Sequence, residues 1–107
     1  MPYDQELDER LAAAMAGWGA TRKKMFGGTC HLLNGNMVCG VHKDCLILRL
    51  GPAEAAQALS RPHVRPFDLT GKPMKGWIMV EKAGLSDPDL RQWLSAARQY
   101  VAALPPK

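Results

Sequence analysis

CHLLNGNMVCGVHKDCLILRL, residues 30–50, is the stretch on which the fold reading turns. Asn34-Gly35 is the preferred pair for a two-residue type I′ hairpin, because both central residues take positive φ. With that turn, Leu33 faces Asn36, Leu32 faces Met37 and Cys30 faces Cys39. A second tight turn at Lys43-Asp44 pairs His42 with Cys45, Val41 with Leu46, Cys39 with Leu48 and Met37 with Leu50. Side chains alternate across a strand, so one face collects Cys30, Leu32, Met37, Cys39, Val41, Leu46, Leu48 and Leu50. That face is expected to be the core. The other face collects His31, Leu33, Val38, Gly40, His42, Cys45, Ile47 and Arg49, a mixed set.

Helical periods flank the meander. Leu7, Leu11, Ala14, Met15 and Trp18 place one apolar stripe on a helix over residues 5–18, with Asp4 as N-cap and Gly17-Trp18-Gly19 as the stop. Asp4, Glu6, Asp8 and Glu9 read as its solvated face and as favourable N-terminal charge. A strand over Arg22–Phe26 follows, ended by Gly27-Gly28. After the meander, Gly51-Pro52 opens a short helix, PAEAAQAL. Arg61-Pro62 and Arg65-Pro66 break helix, and a strand near Phe67–Leu69 leads through TGKPMKG to a strand over Trp77–Glu81. The last helix begins at Ser86 or Asp87 with Pro88 in its first turn. It buries Leu90, Trp93, Leu94, Ala97, Val101 and Leu104, and Pro105-Pro106 stop it. Strands clustered as a meander with helices at the ends argue for an α+β, two-layer sandwich on a mainly antiparallel sheet.

The 107 residues are one domain's worth of chain, and 47% hydrophobic content is ordinary for a globular protein. No apolar run approaches the roughly 20 residues that span a membrane, and MPYDQELDER is too acidic for a secretory or mitochondrial leader. The cytoplasm is therefore the expected compartment. The net charge of +4 is uneven: residues 1–19 carry −3, residues 20–82 carry +6 and residues 83–107 carry +1. An anionic partner would be drawn to the middle of the chain.

The chemistry-bearing residues do not assemble into a reaction centre. Zinc needs four converging thiolate or imidazole ligands, whereas the expected register sends Cys30 and Cys39 one way and His31, His42 and Cys45 the other. No metal or other cofactor is expected, and three cysteines without CxxC read as reduced thiols. Directly opposed, Cys30 and Cys39 could close only a strained cross-strand disulfide. Cys45 is the better candidate for surface reactivity. No nucleophile–base motif such as GxSxG occurs, and no catalytic carboxylate pair stands out, so no enzyme activity is expected. RKKMFGG, residues 22–28, is not a P-loop, because its lysines precede its glycines. It reads as a strand entering a turn. Set beside GKPMKGW, residues 71–77, it could present Arg22, Lys23, Lys24, Lys72 and Lys75 as one patch for an anion or nucleic acid. Stacking on single strands would need exposed aromatics, and most of the seven aromatics lie on core stripes.

KKMFGG at 23–28, LNGNMVCGV at 33–41, RPF-D at 65–68, GKPMKGW at 71–77 and LPPK at 104–107 together resemble the N-terminal domain of the TfoX/Sxy competence-regulator family. The resemblance runs over nearly the whole chain. It implies a bacterial cytoplasmic protein with a secretion-chaperone-like α+β fold. It also implies a role in regulating competence and DNA-uptake genes alongside a transcription activator, and it supplies no catalytic residues. Full-length regulators carry a second domain. Here residues 1–107 are expected to form a single domain without it.

Two function classes are thus carried forward. One is a non-enzymatic regulatory domain that contacts a protein of the transcription machinery or a second copy of itself. Leu33, Val38, Cys45 and Ile47 are its candidate partner or dimer face, being more apolar than a solvated face requires. The other is direct nucleic-acid binding by the basic patch.

Overall fold

The computed structural model describes residues 4–25, 28–67 and 75–106. In chain order these form α1 (Gln5–Ala14), β1 (Thr21–Met25), β2 (Gly28–Leu33), β3 (Asn36–His42), β4 (Cys45–Arg49), α2 (Pro52–Ala58), β5 (Val64–Pro66), β6 (Trp77–Glu81), a 3-10 turn (Lys82–Gly84) and α3 (Asp87–Ala102). The strands make one antiparallel sheet in the order β1-β2-β3-β4-β6-β5. Three helices pack on one face of it, the α+β architecture expected from the clustered strands.

The two longer helices start where their caps allow. The Asp4 carboxylate accepts from the Leu7 amide at 3.0 Å, satisfying one of the amides that an α-helix leaves unpaired at its start. Ser86 Oγ accepts from the Asp89 amide at 3.3 Å, and Pro88 occupies the first turn. Leu7 and Leu11 on α1, Met15 at its C-cap, and Leu90, Trp93, Leu94, Ala97 and Val101 on α3 are buried against the sheet. At about 1.5–3 kcal/mol for each large apolar side chain removed from water, these two stripes are a principal source of stability. The first helix closes at Ala14, four residues before the expected Trp18. The chain turns there through Gly17 and Gly19, both at positive φ.

Both tight turns form as read. Asn34 and Gly35 take φ of 55° and 82°, as type I′ geometry requires, and Lys43 takes 56°. From Cys39 to His42 the β3–β4 register is the expected one, with His42 opposite Cys45, Val41 opposite Leu46 and Cys39 opposite Leu48. The expected Met37–Leu50 pair does not form, and the two lie in different clusters. The β2–β3 register is not the expected one. Leu32 pairs with Met37, but His31 pairs with Cys39 and Cys30 with Gly40, so Val38 is an extra residue in β3. This β-bulge turns Val38 and Cys39 to the same side and exchanges the faces of everything before it. Leu33 and Val38 consequently join the main core with Val41, Leu46, Leu48 and Leu50. Leu32 and Met37, expected in the core, are only partly buried, and Met37 packs on the opposite face.

Glycine makes the bulged ladder close. A Cβ on Gly40 would lie 2.2 Å from the Thr29 carbonyl oxygen, and one on Gly28 would lie 1.9 Å from that of Val41. Neither position tolerates a side chain without moving backbone. At the far side of the sheet, β5 covers Val64–Pro66, across a dipeptide read as a break. Proline is tolerated there because β5 is an edge strand. Phe67 is buried beside it, and residues 68–69 of the expected strand lie outside the described residues.

Candidate functional site

The best-defined polar constellation joins α1 to the first two strands. Asp8 has no solvent exposure, which corrects its placement on the solvated face of the helix. Thr29 Oγ1 donates to Asp8 Oδ1 at 2.6 Å, and His31 Nε2 approaches the same oxygen at 3.0 Å. A carboxylate oxygen only accepts, so Nε2 carries the proton in this contact. The Arg22 guanidinium meets Asp8 Oδ2 as an ion pair rather than as an aligned hydrogen bond. Thr29 and His31 reach the carboxylate because alternation along β2 turns both toward the helices. Arg22, opposite His31, shares that face.

This grouping holds a buried carboxylate between a hydroxyl, an imidazole and a guanidinium. It also resembles the parts of a catalytic triad, but the position contradicts that role. Asp8 and His31 are sealed beneath α1, with His31 only 3% exposed, so no substrate atom can approach them. The network fixes the helix to the sheet. Its acid was detectable in the sequence, because Asp8 stands at i, i+3 and i+7 with Leu11 and Met15, on the buried face.

The basic residues divide. Thr21, Arg22, Lys23 and Lys24 are all exposed on β1, the edge of the sheet. Arg22 already meets an anion, and that anion is the protein's own Asp8. Lys23 pairs with Cys30 and projects from the opposite face to Lys24, which pairs with Thr29. Lys75 is exposed but remote. Lys24 is level across the sheet with Thr29, Val41, Leu46 and Val80, four strands away and five residues beyond Lys75. At roughly 4.8 Å per strand and 3.3 Å per residue, Lys24 and Lys75 do not share one patch. Lys72 lies outside the described residues.

The four residues of the candidate partner face do not share one open surface. The bulge sends Leu33 and Val38 under the helices, and Cys45 and Ile47 pack on the other face with Phe67, Met79, Met37 and Trp77. All four are buried within the single chain.

The thiols are quiet. Burial pushes the Cys39 thiol far above its ordinary range, and its S–H points to Met15 Sδ at 3.5 Å. Burial also raises Cys30, with Lys23 opposing, and raises Cys45, with Arg65 opposing. Cys45 borders a cleft of about 260 Å³ that includes His42, Lys43, Asp44 and Arg65, with the Arg65 guanidinium 3.7 Å from its sulfur. Cys45 is buried and its thiol is raised, so its sulfur is a poor nucleophile in this cleft. The bulge places Cys30 and Cys39 on opposite faces, which removes the cross-strand disulfide. None of the three cysteines is in a disulfide among the described residues. No three His, Cys, Asp or Glu side chains converge there as a metal site would require. Nor is any described helix long and apolar enough to cross a membrane.

Residues 13–100 match the family model of the TfoX N-terminal domain. No curated protein matches the chain.

Proposed function

The chain belongs to the TfoX N-terminal domain family, and from that premise we propose that it is a non-enzymatic regulatory domain that works through protein contacts. The setting is the bacterial cytoplasm, and the role is akin to that of the N-terminal part of competence regulators, with a component of the transcription machinery as partner. One observation carries this reading. Asp8, Thr29, His31 and Arg22, the best-defined polar cluster, are engaged with one another beneath α1, while among the described residues the basic strand β1 is left at the sheet edge with Lys23 and Lys24 exposed. A surface of that kind recognises rather than reacts.

The test is capture of the tagged protein from its own cytoplasm, with and without nuclease. A protein retained in stoichiometric amount under both conditions supports the reading. Loss of every captured component on nuclease treatment overturns it.

Exposed Lys23 and Lys24 favour a second reading, direct nucleic-acid binding. Affinity for DNA or RNA would then fall steeply with salt, and Lys23→Ala with Lys24→Ala would reduce the slope by about two phosphate contacts. Absence of binding at low salt ends that alternative.

A further inference from the structure

The two edges of the sheet are built differently. β5 is three residues long and contains Pro66, which has no amide to donate, so that edge offers little to a further strand. β1 is five residues long, contains no proline and pairs with β2 in unbroken register from Thr21 to Met25. In an antiparallel ladder, alternate residues of an edge strand direct both backbone groups outward. Among the described residues β1 pairs with β2 alone.

Charge decides what this edge accepts. A second copy adding antiparallel through its own β1 would set Arg22, Lys23 and Lys24 against the same three residues, and like charges across a strand pair are destabilising. The lysines therefore discourage self-pairing. They favour a strand of opposite charge. Arg22 is engaged by Asp8, which leaves Lys23 and Lys24 as the reading cations, one on each face of the sheet. We propose that β1 is a strand-addition site for an extended acidic segment of a partner protein, one that carries two consecutive carboxylate residues. Consecutive residues point to opposite faces, so one carboxylate meets Lys23 and the next meets Lys24. This rests on the protein-contact reading above and names the kind of segment that makes the contact.

The test uses the whole chain, ¹⁵N-labelled, with a capped peptide Thr-Val-Thr-Glu-Glu-Val-Thr-Val, its Lys-Lys counterpart, and a thymidine oligonucleotide. The acidic peptide is expected to slow exchange of the outward β1 amides by about tenfold or more at saturation. The double variant Lys23→Glu with Lys24→Glu weakens that binding by about tenfold and gains affinity for the Lys-Lys peptide. Both residues are exposed, so the fold is expected to survive. The inference is overturned by no binding at millimolar peptide, by binding that leaves β1 amides unprotected, or by lysine shifts with the oligonucleotide alone. A nuclease-resistant partner captured equally by wild type and the double variant would also overturn it, while leaving the protein-contact reading intact. Capture that nuclease abolishes would remove both.

Discussion

At the residue scale, Asp8 is the polar group on which most depends. A buried carboxylate deprived of partners, or partners deprived of it, is costly because desolvation is no longer offset. Asp8→Ala should destabilise the protein by about 3–5 kcal/mol in urea unfolding, leaving the Thr29 hydroxyl and the His31 imidazole without their acceptor. Arg22→Ala should cost less, about 1–2 kcal/mol, because its side chain is 48% exposed and water screens its pair. Equal costs would mean that Arg22 is as desolvated as the acid. Asp4 gives the pH dependence. Its pair with Lys82 at 2.6 Å, then the Leu7 amide, hold its carboxyl below the ordinary 3.8. A depressed folded value means that its contribution is complete above about pH 4 and is lost as pH falls through that value. Asp4→Asn keeps a capping oxygen and removes the charge, so it should flatten the acid limb of the stability–pH curve below pH 4. An unchanged limb would show that Lys82 contributes nothing there.

At the element scale, the β2–β3 pair sets the faces. Gly40→Ala brings a methyl against the Thr29 carbonyl and should cost about 2–3 kcal/mol, whereas Ala13→Gly on the exposed side of α1 should cost about 1 kcal/mol. Thermal unfolding of the two variants measures the difference, and a neutral Gly40→Ala would mean that the strands separate easily. The bulge explains why the sequence reading succeeded on one side of Cys39 and failed on the other. From Cys39 to Leu48 the alternation is clean, and the Lys43-Asp44 turn sets the register. Before it, Leu32, Leu33, Met37 and Val38 are apolar at adjacent positions, so a period-two pattern fits either face. The extra residue leaves no mark in composition. The stripe of α3 was legible because its apolar period is long, Ser86 caps its start and Pro105-Pro106 follow its end. Asp8 was misplaced because charge outweighed its position among Leu11 and Met15.

At the scale of the whole molecule, stability and the proposed recognition lie on different parts of one sheet. Helices cover one face, the polar network locks the first of them down, and the edge that remains carries the exposed cations. Family and fold class were both readable from the chain, through five ordered motifs and a meander flanked by helices. The assembly of basic residues was not, because it depends on where β6 inserts in the strand order. The proposed function is that of a domain that holds a protein, rather than one that acts on a substrate or merely adheres to nucleic acid. The most direct measurement is quantitative mass spectrometry of what the tagged chain retains from nuclease-treated cytoplasm, beside an untreated sample. One protein at near-equal molar amount in both samples is the expected result. Retention only where nucleic acid is intact would contradict it.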